Sequence, residues 1–171
     1  MKRLLPSIAA LVTGLALHAQ VTVYVQQPAS LEGPLEFTWA QWGQTPDLND
    51  PANNIVGTAC YVDDGTEADS LGCNALVNGA DIAGKIAVIY RGVCEFGAKS
   101  LNAQNAGAIA VMIINNQPGA PVAMGAGAVG ADVTIPVVMI SQDAGAQLRD
   151  ALLGHADRRL RVAGRNERHR G

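Results

Sequence analysis

The chain has 171 residues, 49% of them hydrophobic but only 4% aromatic, with 19 Gly and a formal net charge of −3. That length allows one domain with a single core, built from Val, Ile, Leu and Ala rather than from rings. Of the three His, none lies between Gln20 and Leu153, which excludes a Ser-His-Asp triad or a Cys-His pair there and argues against a catalytic zinc site.

Met1–Ala19 reads as a secretory signal peptide. Lys2 and Arg3 give a positive start, Ile8–Leu17 is the apolar run, and Ala19 is a small residue at a cleavage point before Gln20. The run is too short to span a bilayer comfortably, and no later segment is long and apolar enough. The mature chain is therefore expected to be exported, with no membrane span. Val21–Val25 is a first strand, and Leu35–Trp42 a second with Phe37 and Trp39 alternating. Trp39 and Trp42 are expected to pack in the core. Gly43–Asn54 is a loop. Ile55–Val62 is a strand closed by Asp63-Asp64-Gly65, and Ser70–Ala83 is turn-rich and carries Cys73.

The stretch from Gly84 to Asn116 reads as strand, turn, helix, strand. Lys85–Tyr90, with Ile86, Val88 and Ile89, suits a strand buried on both faces. Arg91-Gly92 breaks it. Glu95–Ala106 fits a helix whose small face carries Phe96, Ser100, Ala103, Ala106 and Gly107, with Asn102, Gln104 and Asn105 pointing to solvent. Gly107 is suited to the left-handed residue that ends a helix. Ile109–Asn115 completes a βαβ unit, expected to be right-handed. A long Gly/Ala/Pro loop, Gln117–Thr134, leads to the strand Ile135–Ile140, where Pro136 marks an edge or a strand start. Ser141 is a good N-cap for a last helix, Gln142–Leu153.

From Gly154 to Gly171 the chain carries six Arg and two acidic residues, a net charge of +4, against −9 for Gln20–Leu153. The tail is expected to be a disordered basic end. A nucleic-acid partner is not expected, because the acidic body lacks the basic patch such binding needs.

Several constellations invite a chemical reading, and each has a plainer one. Gly125–Gly130 spells G-A-G-A-V-G, but no strand precedes it and no helix follows, so it reads as a flexible loop rather than a nucleotide fingerprint. Asp63, Asp64, Glu67 and Asp69 do not complete a calcium loop and read as an exposed acidic turn. Arg91 and Lys99 suggest an anion site; the structural alternative has Arg91 bonding nearby carbonyls and Lys99 snorkelling from the helix edge. Cys94 has no His base to make it a nucleophile. Cys60, Cys73 and Cys94 are an odd set for an exported chain, and the residues alone leave the pairs Cys60/Cys73 and Cys73/Cys94 both open. No C-x-x-C suggests a metal, and no cofactor is expected.

The pattern G-K-I-A-V-I-x-R-G-x-C-x-F, then Lys, then N-A-Q-N-A-G-A and an apolar strand ending Asn-Asn, resembles the protease-associated (PA) domain family, in its secreted bacterial type. The matching residues are Gly84, Lys85, Arg91, Gly92, Cys94, Phe96, Lys99, Asn102, Ala103, Ala106, Gly107, Ala108, Asn115 and Asn116. The resemblance covers residues 56–153 of a domain spanning 20–153. It implies an α/β fold: a curved, mostly β sheet or open barrel with a βαβ element and two flanking helices. It also implies a Cys73–Cys94 disulfide, with Cys60 left as a free or buried thiol. A loop of this length closed by a disulfide is worth on the order of 3 kcal/mol. In function it implies a non-catalytic module that contacts a protein or peptide ligand, or an accessory domain restricting access to an adjoining peptidase domain absent from this chain. The shared motif residues are expected to be structural.

Overall fold

A computed structural model describes residues 20–67, 70–154 and 159–165, with side chains for 21–67 and 70–152. The expected signal peptide and the last residues of the tail lie outside the described residues. The described residues include eight strands: β1 (Gln20–Val25), β2 (Gly33–Leu35), β3 (Phe37–Trp39), β4 (Ile55–Tyr61), β5 (Ile86–Tyr90), β6 (Ala110–Ile114), β7 (Val137–Ile140) and β8 (Arg159–Arg165). Three α-helices accompany them among the described residues: α1 (Gly79–Ile82), α2 (Phe96–Asn105) and α3 (Gln142–Gly154).

The strands form one sheet in the order β2-β1-β8-β4-β5-β6-β7-β3. β4, β5, β6 and β7 run parallel, and the remaining ladders are antiparallel. β4 is the corner of the sheet. Its first half, Ile55–Thr58, pairs with β8, and its second half, Ala59–Tyr61, pairs with β5. The edge strands β2 and β3 are neighbours in the chain, separated by Glu36 alone. The sheet therefore curls until both edges lie in one stretch, yet no ladder joins β2 to β3 and it stays open. This is the curved α/β sheet with a βαβ element that the resemblance implies.

Alternation along the parallel strands separates two cores. Ile86, Val88, Met112, Ile114, Val138 and Ile140 face inward with Val23, Val25 and Leu148 of α3. Ala87, Ile89, Val111, Ile113, Val137 and Met139 face outward, where Ile82 of α1, Ala103 of α2, Trp42 and Val133 cover them. Both faces of β5–β7 are thus covered, which is why these strands read as continuous apolar runs. The Ser141 hydroxyl accepts from the Ala144 N–H at 3.2 Å and caps α3 as expected.

Three expectations are corrected and one is narrowed. The predicted strand Leu35–Trp42 is split at Glu36, because its two halves serve opposite edges of the sheet. The turn-rich segment before Gly84 contains the short helix α1. Of the two readings of Pro136, the strand start holds and the edge does not: it immediately precedes β7, its carbonyl accepts from Val111 N–H, and β7 lies between β6 and β3. The basic tail is not wholly unstructured, since Arg159–Arg165 forms β8 between β1 and β4. Without it, β1 and β2 lose their ladder to the rest of the sheet.

Candidate functional site

Residues 63–67 and 70–78 form a densely tied strap that leads from the end of β4 across α2 to the start of α1. It is held from both sides. The Tyr90 N–H at the end of β5 donates to the Ser70 carbonyl at 2.8 Å. Cys73 is bridged to Cys94, with the two Cα atoms 5.8 Å apart. This is the pair that the resemblance implies, and Cys60 is a free, half-buried thiol. Burial is the main cause that raises the Cys60 pKa.

Asp64 organises the interior of the strap. Its carboxylate is buried and accepts from the Thr66 hydroxyl at 2.7 Å, the Thr66 N–H at 3.3 Å and the Cys73 N–H at 2.8 Å. Burial works to raise its pKa. The bonds from Thr66, with those from the backbone of Cys73 and Asn74, outweigh burial and hold it below the usual carboxylate range. The acidic segment is therefore not simply an exposed turn, as its composition suggested. Asp-x-Thr is an Asx-turn signature, and that was the available signal for Asp64. Asn78 closes the strap: it donates to the Tyr61 carbonyl and accepts from the Asp63 N–H, both at 2.9 Å.

Lys99 is the second surprise. It does not snorkel; it is fully buried, and its ammonium donates to the Leu71 carbonyl and lies 3.5 Å from Cys73 Sγ. Burial pushes its pKa down to about 8, with the Asp64 charge opposing. One turn on, Asn102 Nδ2 donates to the Gly72 carbonyl at 3.0 Å, so this amide is not left to solvent as expected. The buried face of α2 is Gly97, Lys99, Ser100 and Ala103, rotated from the predicted face that included Phe96 and Gly107. The causes are the strap, which meets Lys99, and the Gly125–Gly130 loop, which meets Gly97, both in addition to the sheet.

The remaining motif residues fall into two groups at opposite ends of the βαβ unit. At one end, Gly84 (φ +74°) and Gly107 (φ +85°) take left-handed turns and are joined by Gly84 N–H to Gly107 C=O at 2.8 Å. The Lys85 carbonyl there accepts from Ile109 N–H and starts the β5–β6 ladder. At the other end, Arg91 is half-buried and donates to Asn115 Oδ1 at 2.8 Å, while Gly92 lies against the Asn116 side chain. Phe96 is half-buried in the outer core. Arg91 and Lys99 thus do not converge on one anion. Each bonds a different neutral group.

The G-A-G-A-V-G loop is packed, not loose. Gly97 of α2 faces the Ala126 carbonyl and Gly130 with no room for a Cβ, and Gly130 lies against the Trp42 ring. The Glu95 carboxylate accepts the Ala128 N–H at 2.9 Å, so this loop amide is already taken. Trp42 is buried and donates to the Met124 carbonyl at 2.8 Å.

Between the strap and α2 lies a shallow cleft of about 420 Å³, lined by Ala75, Leu76, Gly79, Asn102, Asn105 and Ala106. Its walls are small and apolar apart from two carboxamides. Beside it, Val77 is 67% exposed. Among the described residues, no group of three or more His, Cys, Asp or Glu is placed to hold a metal ion.

Residues 51–148 match the PA domain family. The chain belongs to the PA domain family. Signal peptide peptidase-like 2 of Arabidopsis thaliana is 41% identical over 81 residues, which are 47% of this chain and 15% of that protein. The ER degradation-enhancing alpha-mannosidase-like protein 3 of Xenopus laevis is 39% identical over 88 residues, 47% of this chain and 10% of that protein. Among solved structures, an aminopeptidase from Aneurinibacillus sp. strain AM-1 superposes with a TM-score of 0.62 at 27% identity, covering 86% of this chain and 31% of that one. This PA domain chain therefore corresponds to a minor part of each of these relatives.

Proposed function

We propose that the chain is a non-catalytic protein- or peptide-interaction module, acting through the cleft between the strap and α2. The observation that carries this reading is what the relatives share. Their names describe a peptidase-like protein, a mannosidase-like protein and an aminopeptidase, yet each matches this chain over only 10–31% of its own length. One small segment common to such different names supports an accessory role for it. The sequence adds that no His lies between Gln20 and Leu153. In the cleft, the exposed Asn105 carboxamide offers a paired donor and acceptor that suits a peptide backbone, and the apolar walls suit short side chains.

A second reading, an accessory domain that limits substrate access to a peptidase domain outside this chain, is favoured by the superposition on an aminopeptidase. Both readings place the protein outside the cell or in a lumen, with residues 1–19 as a signal peptide. The Cys73–Cys94 disulfide supports this, and among the described residues no helix is long and apolar enough to cross a membrane.

The test is a peptide-array screen with the purified chain, followed by hydrolysis assays on the peptides that bind. Saturable binding without cleavage is expected. Cleavage that follows the chain through purification overturns the non-catalytic reading.

A further inference from the structure

The contact between Lys99 and the disulfide has a chemical consequence beyond packing. In the bridged state the buried ammonium meets a carbonyl and a disulfide sulfur, and a neutral sulfur is a weak acceptor. Asp64 is the nearby carboxylate, but its oxygens are taken up by Thr66 and by the Cys73 N–H. A negative charge on Cys73 Sγ, 3.5 Å away, would give Lys99 a direct counter-ion inside the protein.

The two sulfurs are not equivalent. Cys73 belongs to the strap, under which Lys99 is buried. Cys94 lies in the turn after β5, next to Val93, which is 90% exposed. Val93 has φ +65°, a conformation that a β-branched residue adopts only under strain. The charged groups on that side are already engaged: Glu95 accepts from Ala128 N–H, and Arg91 donates to Asn115.

We propose that Cys73–Cys94 is a reducible latch with a fixed polarity, in which an incoming small thiolate attacks Cys94 and Cys73 departs as a thiolate paired with Lys99. In the first step the attacking sulfur bonds to Cys94 Sγ as the Cys73–Cys94 bond breaks, and the electron pair leaves on Cys73. A second thiolate then attacks the small-thiol sulfur of this mixed disulfide and releases the Cys94 thiolate, which takes a proton from water. Two small thiolates are oxidised to their disulfide, and the protein disulfide is reduced to the Cys73 thiolate, paired with Lys99, and the Cys94 thiol, with hydroxide left by the water that supplied its proton. The strap then keeps its hydrogen bonds to α2, from Lys99 to Leu71 and from Asn102 to Gly72, and those from Tyr90 to Ser70 and from Asn78 to Tyr61, but no covalent tie. Because Ala75 and Leu76 of the strap form one wall of the cleft, reduction loosens that wall. The proposal does not depend on what the cleft binds.

The test uses the full oxidised chain, exposed to reduced glutathione under native conditions, quenched in acid and mapped for mixed disulfides. Glutathione on Cys94 with Cys73 free is expected. Glutathione on Cys73, or equally on both, overturns the polarity. No reduction by glutathione at concentrations that reduce the same disulfide in urea overturns the latch. A second readout is the pH profile of alkylation of the reduced chain, in which Cys73 should react at lower pH than Cys94. Lys99→Met should abolish that difference and shift the exchange equilibrium at least tenfold toward the disulfide, about 30 mV for a two-electron couple. Lys99→Arg should retain both effects. An unchanged profile in folded Lys99→Met overturns the role of Lys99, and if that variant does not fold, the mapping and the wild-type profile still decide.

Discussion

Replacing Gly97 by Ala isolates how closely α2 and the G-A-G-A-V-G loop approach each other. Gly97 has ordinary helical backbone, so Ala by itself should favour the helix by about 1 kcal/mol. The added Cβ, however, would stand 2.7 Å from Gly130 N and Cα, and closer still to the Ala126 carbonyl oxygen. All three are backbone atoms, so no side chain can swing aside. Overpacking of this kind costs about 1–3 kcal/mol. Moving the loop also weakens the Glu95–Ala128 bond, a charge-assisted contact worth about 1.5 kcal/mol or more. The net expectation is a loss of about 2 kcal/mol, or a fall in Tm of about 4–8 °C for a chain of this size. Gly125→Ala is the control. It lies in the same loop with nothing within 4 Å of the added Cβ, and is expected to be neutral or slightly stabilising. Chemical denaturation and thermal melts of both variants provide the measurement. Equal stability of Gly97→Ala and wild type would refute the close approach, and with it the packed reading of the loop.

The other predictions concern the strap, the tail and pH. Asn102→Ala strips the Gly72 carbonyl of its donor and should cost about 1–2 kcal/mol, and Ala103→Leu overpacks a fully buried site for about 1–3 kcal/mol; urea titrations measure both. Deleting residues 155–171 removes β8 from between β1 and β4 and should abolish the cooperative melt or lower its midpoint sharply, and an unchanged melt would remove β8 from the sheet. Lys99 releases its proton near pH 8 when folded but near 10.5 when unfolded, so the unfolded chain binds more protons in between. The stability of wild type relative to Lys99→Met should therefore rise from about pH 8 to 10.5. Asp64 has the opposite limb: its stabilisation is present above the ordinary carboxylate range and is lost as the pH falls through its depressed folded value, which Asp64→Asn should flatten.

Much of the fold is legible in the sequence because its strands are buried on both faces. Runs such as Ile86–Tyr90 and Ala110–Ile114 have no competing interpretation, and Gly107 marks the end of α2 unambiguously. The strap was harder to read. Lys99 on a helix suggests solvent, and only the tertiary approach of Leu71 and Cys73 makes a buried ammonium tolerable. Asp64 was hidden for a similar reason, since neighbouring acids made the segment read as wet. β8 was masked by charge: the alternation Arg159-Leu160-Arg161-Val162 has the period of a strand, but the Arg content suggested disorder. Neither the cleft nor the curl of the sheet has a local signal, because each depends on elements distant in the chain.

The most direct measurement of the central claim is a titration of the intact chain with peptides recovered from an array, by calorimetry and with parallel detection of cleavage. The account predicts saturable binding without hydrolysis, weakened at least tenfold by Asn105→Arg, which fills the cleft with a charged side chain while the thermal melt stays unchanged. Binding that ignores a folded Asn105→Arg variant, or turnover of the bound peptide by the pure chain, would contradict it.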